Sequence, residues 1–85
     1  MEIRYAASFS RDYWELPQEM RTLLAKKFAL LLKNMRHPSL CVKKMEGHRE
    51  IWEARITKGY RFTFQKEEYG YLFRRVGSHD ILRSP

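Results

Sequence analysis

The sequence predicts an α+β fold: an N-terminal strand and one or two helices precede a three-stranded antiparallel meander, and the helices pack on one face of the sheet. Three observations predict it. Apolar residues between Met20 and Met35 recur every three or four positions, and from Ile51 onward they recur every second position. Lys58-Gly59 and Glu67-Glu68 interrupt the second pattern where chain reversals belong. With 85 residues, 44% of them apolar, and two Trp, five Tyr and five Phe, the chain has material for one modest core, so a single domain over residues 1–85 is expected.

Ile3 to Phe9 reads as the first strand, with Ile3, Tyr5 and Ala7 on one side, and Ser10 offers a hydroxyl to cap a helix start. A short helical turn from Arg11 to Leu16 leads to Pro17, which suits the first position of a longer helix because it lacks an N–H that would go unbonded there. In that helix Met20, Leu24, Phe28, Leu31 and Met35 form an apolar stripe, widened by Leu23, Ala29 and Leu32. Its end is expected between Asn34 and Arg36, since His37 precedes Pro38 and is pushed out of helical geometry.

Ile51 to Ile56 puts Trp52, Ala54 and Ile56 on one strand face and Glu53 and Arg55 on the other. After the Lys58-Gly59 reversal, Tyr60, Phe62 and Phe64 form the buried side of the next strand, with Arg61, Thr63 and Gln65 opposite. Tyr71 to Val76 makes the last strand, closed by Gly77, and a bulge in it would exchange the faces of Tyr69, Tyr71 and Phe73. His37 and His48 read as loop residues, and Trp52, Tyr60, Phe62 and Phe64 as core rather than as platforms for stacking bases.

The formal net charge is +7, and it is unevenly distributed. Between Met20 and Met45 stand Arg21, Lys26, Lys27, Lys33, Arg36, Lys43 and Lys44, with no carboxylate. Such a segment concentrates phosphate-bearing partners, RNA first among them, or an acidic protein; lysines on a solvated helix face are the plainer reading. The single Cys41 forms no internal disulfide and reads as a packing residue in a chain suited to a reducing interior. No apolar signal core follows Met1 and no stretch approaches the length needed to cross a bilayer, so a soluble cytoplasmic protein without a membrane partner is expected. With no Gly-rich phosphate loop and no His or carboxylate cluster at ligand spacing, neither a metal nor a small-molecule cofactor is expected.

One constellation carries chemistry. Glu53, Arg55 and Arg61 project from the face of adjacent strands that the aromatic residues leave free, and His79-Asp80 follow Gly77 where a loop can fold over that face. Metal-free cleavage of a phosphodiester needs a group that takes the 2′-hydroxyl proton, a cation for the charge on phosphorus and a group that protonates the departing 5′-oxygen. An arginine fork suits the second task and an imidazole suits proton transfer. Glu53 and Arg55 also read as an ion pair on an exposed strand, and His79-Asp80 as a turn.

Five strings, taken in order, resemble a known family over essentially the whole chain: Phe9-Ser10-Arg11 with Leu16-Pro17; His37-Pro38-Ser39-Leu40; Ile51-Trp52-Glu53-Ala54-Arg55-Ile56; Gly59-Tyr60-Arg61; and Val76-Gly77-Ser78-His79-Asp80. They resemble the RelE/ParE superfamily of type II toxin–antitoxin toxins, and within it the RelE and YafQ branch. The resemblance implies a ribosome-dependent mRNA endoribonuclease that enters the A site, cleaves without metal to a 2′,3′-cyclic phosphate, and is held inactive by a cognate antitoxin. It makes Arg61 a phosphate stabiliser, matched to the arginine of the Gly-Tyr-Arg string in RelE. His79 falls at an acid–base histidine of YafQ, Arg55 at a strand position that is lysine in RelE and histidine in YafQ, and Glu53 at one that is basic in RelE and acidic in YafQ. Either Glu53 or His79 is then the base. Lys43, Lys44, Arg75 and Arg83 are the candidate substrate-binding cations, Arg83 standing near a late aromatic of YafQ, while the C-terminal tyrosine with which RelE stacks on its substrate has no counterpart before Pro85. The alternatives are a ParE-like toxin that inhibits DNA gyrase without nuclease chemistry, and a non-catalytic RNA-binding domain.

Overall fold

The computed structural model describes residues 1–48 and 50–85. Along the chain run β1 (Glu2–Tyr5), α1 (Ala7–Glu15), α2 (Gln18–Lys33), a 3-10 turn (Pro38–Leu40), β2 (Lys43–Lys44), β3 (Ile51–Thr57), β4 (Tyr60–Glu67), β5 (Gly70–Ser78) and a C-terminal 3-10 helix (His79–Arg83). The described strands make one sheet in the order β1-β5-β4-β3-β2, antiparallel except for β1, which lies parallel to β5. The predicted class and the meander are present; the parallel placing of β1 and the two-residue β2 go beyond the expectation. Neither leaves a periodic trace, because β2 is too short and the β1–β5 pairing joins residues almost seventy positions apart, Glu2 with Gly70.

The first strand ends at Tyr5, not at Phe9. Ala6 N–H donates to Phe73 O (2.9 Å), and the amides of Phe9 and Ser10 then bond back to Ala6 O, which starts α1 and turns Phe9 into the core at 2% exposure. Ser10 therefore lies inside the helix, and the cap position is Ala6, without a side-chain bond. Once β1 has ended, α1 takes over the edge of β5: Ser8 Oγ donates to Arg74 O (2.7 Å), and Val76 N–H donates to Asp12 Oδ2 (3.1 Å). Edge groups that a further strand would satisfy are satisfied by side chains.

Pro17 stands one position outside α2, as its cap, and Glu19 and Lys33 suit the partial charges of the two helix ends. Leu24 and Leu31 are buried, and Met20, Leu23, Phe28, Leu30 and Met35 pack at their flanks, whereas Ala29 and Leu32 face solvent. The buried stripe is thus rotated toward Leu30. His37, a loop residue as expected, also caps the next turn, its Nδ1 accepting from Ser39 N–H (3.2 Å) at the head of the turn that buries Leu40. Cys41, expected to pack, is exposed and holds a left-handed backbone (φ 47°) just after that turn.

The core lies between the helices and one sheet face, where Phe62, Phe64 and Phe73 are completely shielded and Phe28 stacks on Phe73 with centroids 4.2 Å apart. A bulge in β5 shifts the register from Thr63↔Arg75 to Phe64↔Phe73 and leaves Arg74 as the extra residue. The bulge is what lets Tyr71, Phe73 and Val76 all reach the core despite their odd-then-even numbering. On the other face, Gly77 stands opposite Arg61, and a Cβ there would come within 3.0 Å of Ile81 Cγ2. The C-terminal 3-10 helix therefore lies over that face, where a loop was expected to fold back. Among the described residues no helix is long and apolar enough to cross a membrane.

Candidate active site

The face left free by the helices is built from alternate residues of β3 and β4. Glu53 pairs with Thr63 and Arg55 with Arg61, so the four side chains leave the same face in two adjacent rows. The period-two reading of these strands already assigned them to it. The tertiary structure adds their environment. Glu53 is only 7% exposed and Thr63 wholly buried, an unusual state for a carboxylate and a hydroxyl.

Glu53 Oε1 lies 3.9 Å from Arg61 Nε and 3.9 Å from Lys43 Nζ, so two cations neutralise it. Arg61 also folds under the hairpin turn: its Nη1 donates to Thr57 O (2.7 Å) and Lys58 O (3.1 Å), which leaves the Nη2 edge of the fork outside these bonds. Arg55 faces Arg61 directly across the strands, a like-charge pairing that costs energy unless an anion intervenes, and Glu53 is the neighbouring anion. Arg55 Nε and Thr63 Oγ1 are buried without a hydrogen-bond partner among the described residues. Donors left unmade in this way add polarity to a site already crowded with charge.

The remaining sequence-derived candidates are spread more widely. His79 and Arg83 are exposed at the two ends of the C-terminal 3-10 helix, His79 two residues beyond the Gly77 that faces Arg61. No hydrogen bond joins His79 to Glu53, Arg55 or Arg61 among the described residues. Lys43 belongs to the Glu53 cluster, but Lys44 points the other way, its ammonium 6.0 Å from the centre of the Trp52 ring. Arg75 is drawn over the edge of β5 to Asp12, with Nε to Oδ2 at 2.6 Å and Nη2 to Oδ1 at 3.2 Å, and its Nη1 donates to Ser84 O. Hydrogen bonding to Asp12 holds the Arg75 guanidinium above its usual range. Arg74 donates to Pro85 O and to Gln65 Oε1, so the two arginines at the bulge hold down the C-terminal residues.

Thr63 and Asp12 were not among the sequence-derived candidates. Thr63 shares the alternation that exposed Arg61, and only its complete burial sets it apart. Asp12 carried no signal, because its partners lie more than sixty residues away. Among the described residues, no group of three or more His, Cys, Asp or Glu side chains is placed to hold a metal ion.

No protein-family model matches the sequence, and no curated protein matches it. Solved structures do. YafQ from E. coli superposes with a TM-score of 0.76 at 18% identity, covering 95% of this chain and 96% of that one. The RelB–RelE antitoxin–toxin complex from Methanococcus jannaschii gives 0.75 at 18%, with 94% of each chain covered. The YoeB dimer from Staphylococcus aureus gives 0.79 at 12%, covering 93% of this chain and 97% of that one. At such identities the likeness concerns the fold, and along nearly its whole length this chain has the fold of the RelE, YafQ and YoeB toxins.

Proposed function

We propose that the chain is the toxin of a toxin–antitoxin pair and that it acts as a ribosome-dependent mRNA endoribonuclease. One observation carries this reading. A carboxylate and two guanidiniums, Glu53, Arg55 and Arg61, converge on the free face of a sheet whose fold matches YafQ, beneath a C-terminal 3-10 helix that begins with His79. Solved neighbours of this fold include complexes of RelE with RelB and of YafQ with DinJ, which supports a protein partner of the antitoxin kind.

In this mechanism the free edge of Arg61 binds the scissile phosphate and stabilises charge as the 2′-oxygen attacks phosphorus. Glu53 is shielded and already neutralised by Arg61 and Lys43, so it orients Arg61. His79, exposed at the rim, is free to reach an RNA backbone and is the acid–base group. Arg55 completes the positive floor, and Lys43 and Arg83 meet neighbouring phosphates. His79 takes the 2′-hydroxyl proton as the 2′-oxygen attacks phosphorus, the bond from phosphorus to the 5′-oxygen breaks, the departing 5′-oxygen takes up a proton from water, and a 2′,3′-cyclic phosphate remains.

Primer extension on a translated mRNA tests the reading. The wild-type chain is expected to produce new cuts, and Arg61→Ala and His79→Ala to reduce them by about a hundredfold, the usual scale for one general acid–base or oxyanion group. Equal cutting by all three overturns it. Inhibition of gyrase supercoiling without any cut would place the chain with the gyrase-directed toxins instead.

A further inference from the structure

The C-terminal 3-10 helix carries both the proposed acid–base group, His79, and the cation Arg83, yet little in the helix itself fixes its position. It has five residues and no side-chain cap at its start. Because 3-10 hydrogen bonds are poorly aligned, a helix this short stands where its surroundings hold it. Ile81 is its buried residue and rests near Gly77, so the middle of the helix is seated by an apolar contact.

Just past the helix two guanidiniums take hold of the chain. Arg75 Nη1 donates to Ser84 O (3.2 Å) and Arg74 Nε donates to Pro85 O (3.1 Å), and Pro85 is buried. Consecutive strand residues ordinarily point to opposite faces, and the bulge at Arg74 is what lets both side chains reach the same segment. Each guanidinium is aimed by an acceptor on another element. Asp12 of α1 accepts from Arg75 Nε (2.6 Å) and Nη2 (3.2 Å), and Gln65 of β4 accepts from Arg74 Nη1 (2.7 Å). Every side-chain nitrogen of Arg75 is thereby engaged within the chain, which leaves it no fork to offer a phosphate.

We infer that Arg75, aimed by Asp12, and Arg74, aimed by Gln65, are positioning residues: they anchor the end of the 3-10 helix and so set where His79 and Arg83 stand over the sheet face that bears Arg61. Their duty rests on the reading of the chain as an RNA-cleaving toxin with His79 as its acid–base group, and adds what fixes that group. A displacement of about 1 Å at a reacting group costs on the order of a hundredfold in rate, so a loosened helix lowers turnover without removing any contact to RNA. Charge separates an anchor from a phosphate contact. A phosphate contact depends on the cation, whereas an anchor depends on the planar fork and its acceptors. Asp12→Asn leaves every cation in place and removes the carboxylate that aims Arg75. Arg75→Lys and Arg74→Lys keep the charge and lose the fork.

The test measures cutting of an mRNA on purified, programmed ribosomes by the full chain and these three variants, across ribosome and salt concentrations, with amide hydrogen exchange of each free protein. The expected result is a kcat at least about tenfold lower in each variant, with KM and its salt dependence unchanged. The Ser84 amide, bonded to Ile81 O (3.1 Å), should exchange at least about tenfold faster, a larger factor than for the amides of Phe62 and Phe64, which report the fold as a whole. Glu67→Gln, which breaks an exposed pair with Arg4 at the far end of β4, should leave kcat unchanged. An equal loss in Glu67→Gln makes the effect one of general loosening and overturns the inference. A change confined to KM makes the arginine concerned a phosphate contact and overturns it too, as does a loss of kcat without faster exchange at Ser84. Absence of cutting by wild type overturns the proposed function itself, whereas equal cutting by wild type and the three variants overturns the anchor alone.

Discussion

Asp12 and Arg75, 63 positions apart, form a two-point ion pair in which one carboxylate oxygen also accepts the backbone N–H of Val76. Three elements meet there. The pair fastens α1 to the unpaired part of β5, and through Nη1 of Arg75 it reaches Ser84 near the end of the chain.

Asp12→Ala should therefore destabilise the fold by about 2 kcal/mol, as expected for a partly buried charge-assisted pair and a stranded edge amide. Asp12→Asn keeps an acceptor for Val76 N–H and should lose about half as much. Urea midpoints at neutral pH, read by far-ultraviolet circular dichroism, check both; indistinguishable midpoints would show that α1 is held by its apolar contacts alone.

The Glu53–Arg61 contact predicts non-additivity. Arg61→Gln leaves a shielded carboxylate with Lys43 as its remaining near cation and should cost about 2 kcal/mol. Adding Glu53→Gln to that variant should restore about half of the loss, because the stranded charge disappears. A double-mutant cycle on unfolding free energies measures this, and additive losses would mean that the two groups do not interact.

Gly70 predicts a severe defect. A Cβ at this position would fall 1.7 Å from the carbonyl oxygen of Glu2, so any side chain forces β1 away from β5. Gly70→Ala should cost at least about 3 kcal/mol, more than an overpacked core usually does, because the obstacle is backbone. Thermal unfolding decides it. Gly59→Ala is the control, since nothing lies within 4 Å of a Cβ there.

Tyr71 sets an alkaline limit. Burial beside Phe64 and Phe73 raises its phenol above the ordinary tyrosine range, so the folded chain keeps a proton that the unfolded chain gives up. The neutral-ring contribution is fully present below about pH 10 and is lost as pH rises through the raised folded value. Denaturation midpoints of wild type should fall above about pH 10 more steeply than those of Tyr71→Phe, which has no proton to lose. Parallel curves for the two would contradict the assignment.

Much of the site was legible in advance. Strict alternation in β3 and β4 places Glu53, Arg55, Arg61 and Thr63 on one face whatever covers it, since the pleat repeats every two residues. The long helix and the basic, acid-free stretch from Met20 to Met45 were equally readable, because periodicity and charge are local properties of the chain. Other features depended on contacts between distant segments. The parallel seat of β1 beside β5, the edge pairing of β2 and the Asp12–Arg75 pair each join residues that have no local reason to meet.

The same division explains where expectations failed. Phe9 has the alternation of a strand, yet it lies in a helix because its burial against Phe28 and Phe73 outweighs a strand preference spread over a few residues. Ala29 and Leu32 have the period of a core stripe and face water, because the helix turns Leu24 and Leu31 inward with Leu23, Phe28 and Leu30 at their flanks. Composition and period by themselves determined the class of fold, the sign of its charge and the face on which its chemistry can stand. Only the tertiary structure decided that Glu53 is shielded, that Arg75 turns to Asp12 and that the C-terminal helix lies over Gly77, since shielding and pairing arise when remote surfaces are pressed together.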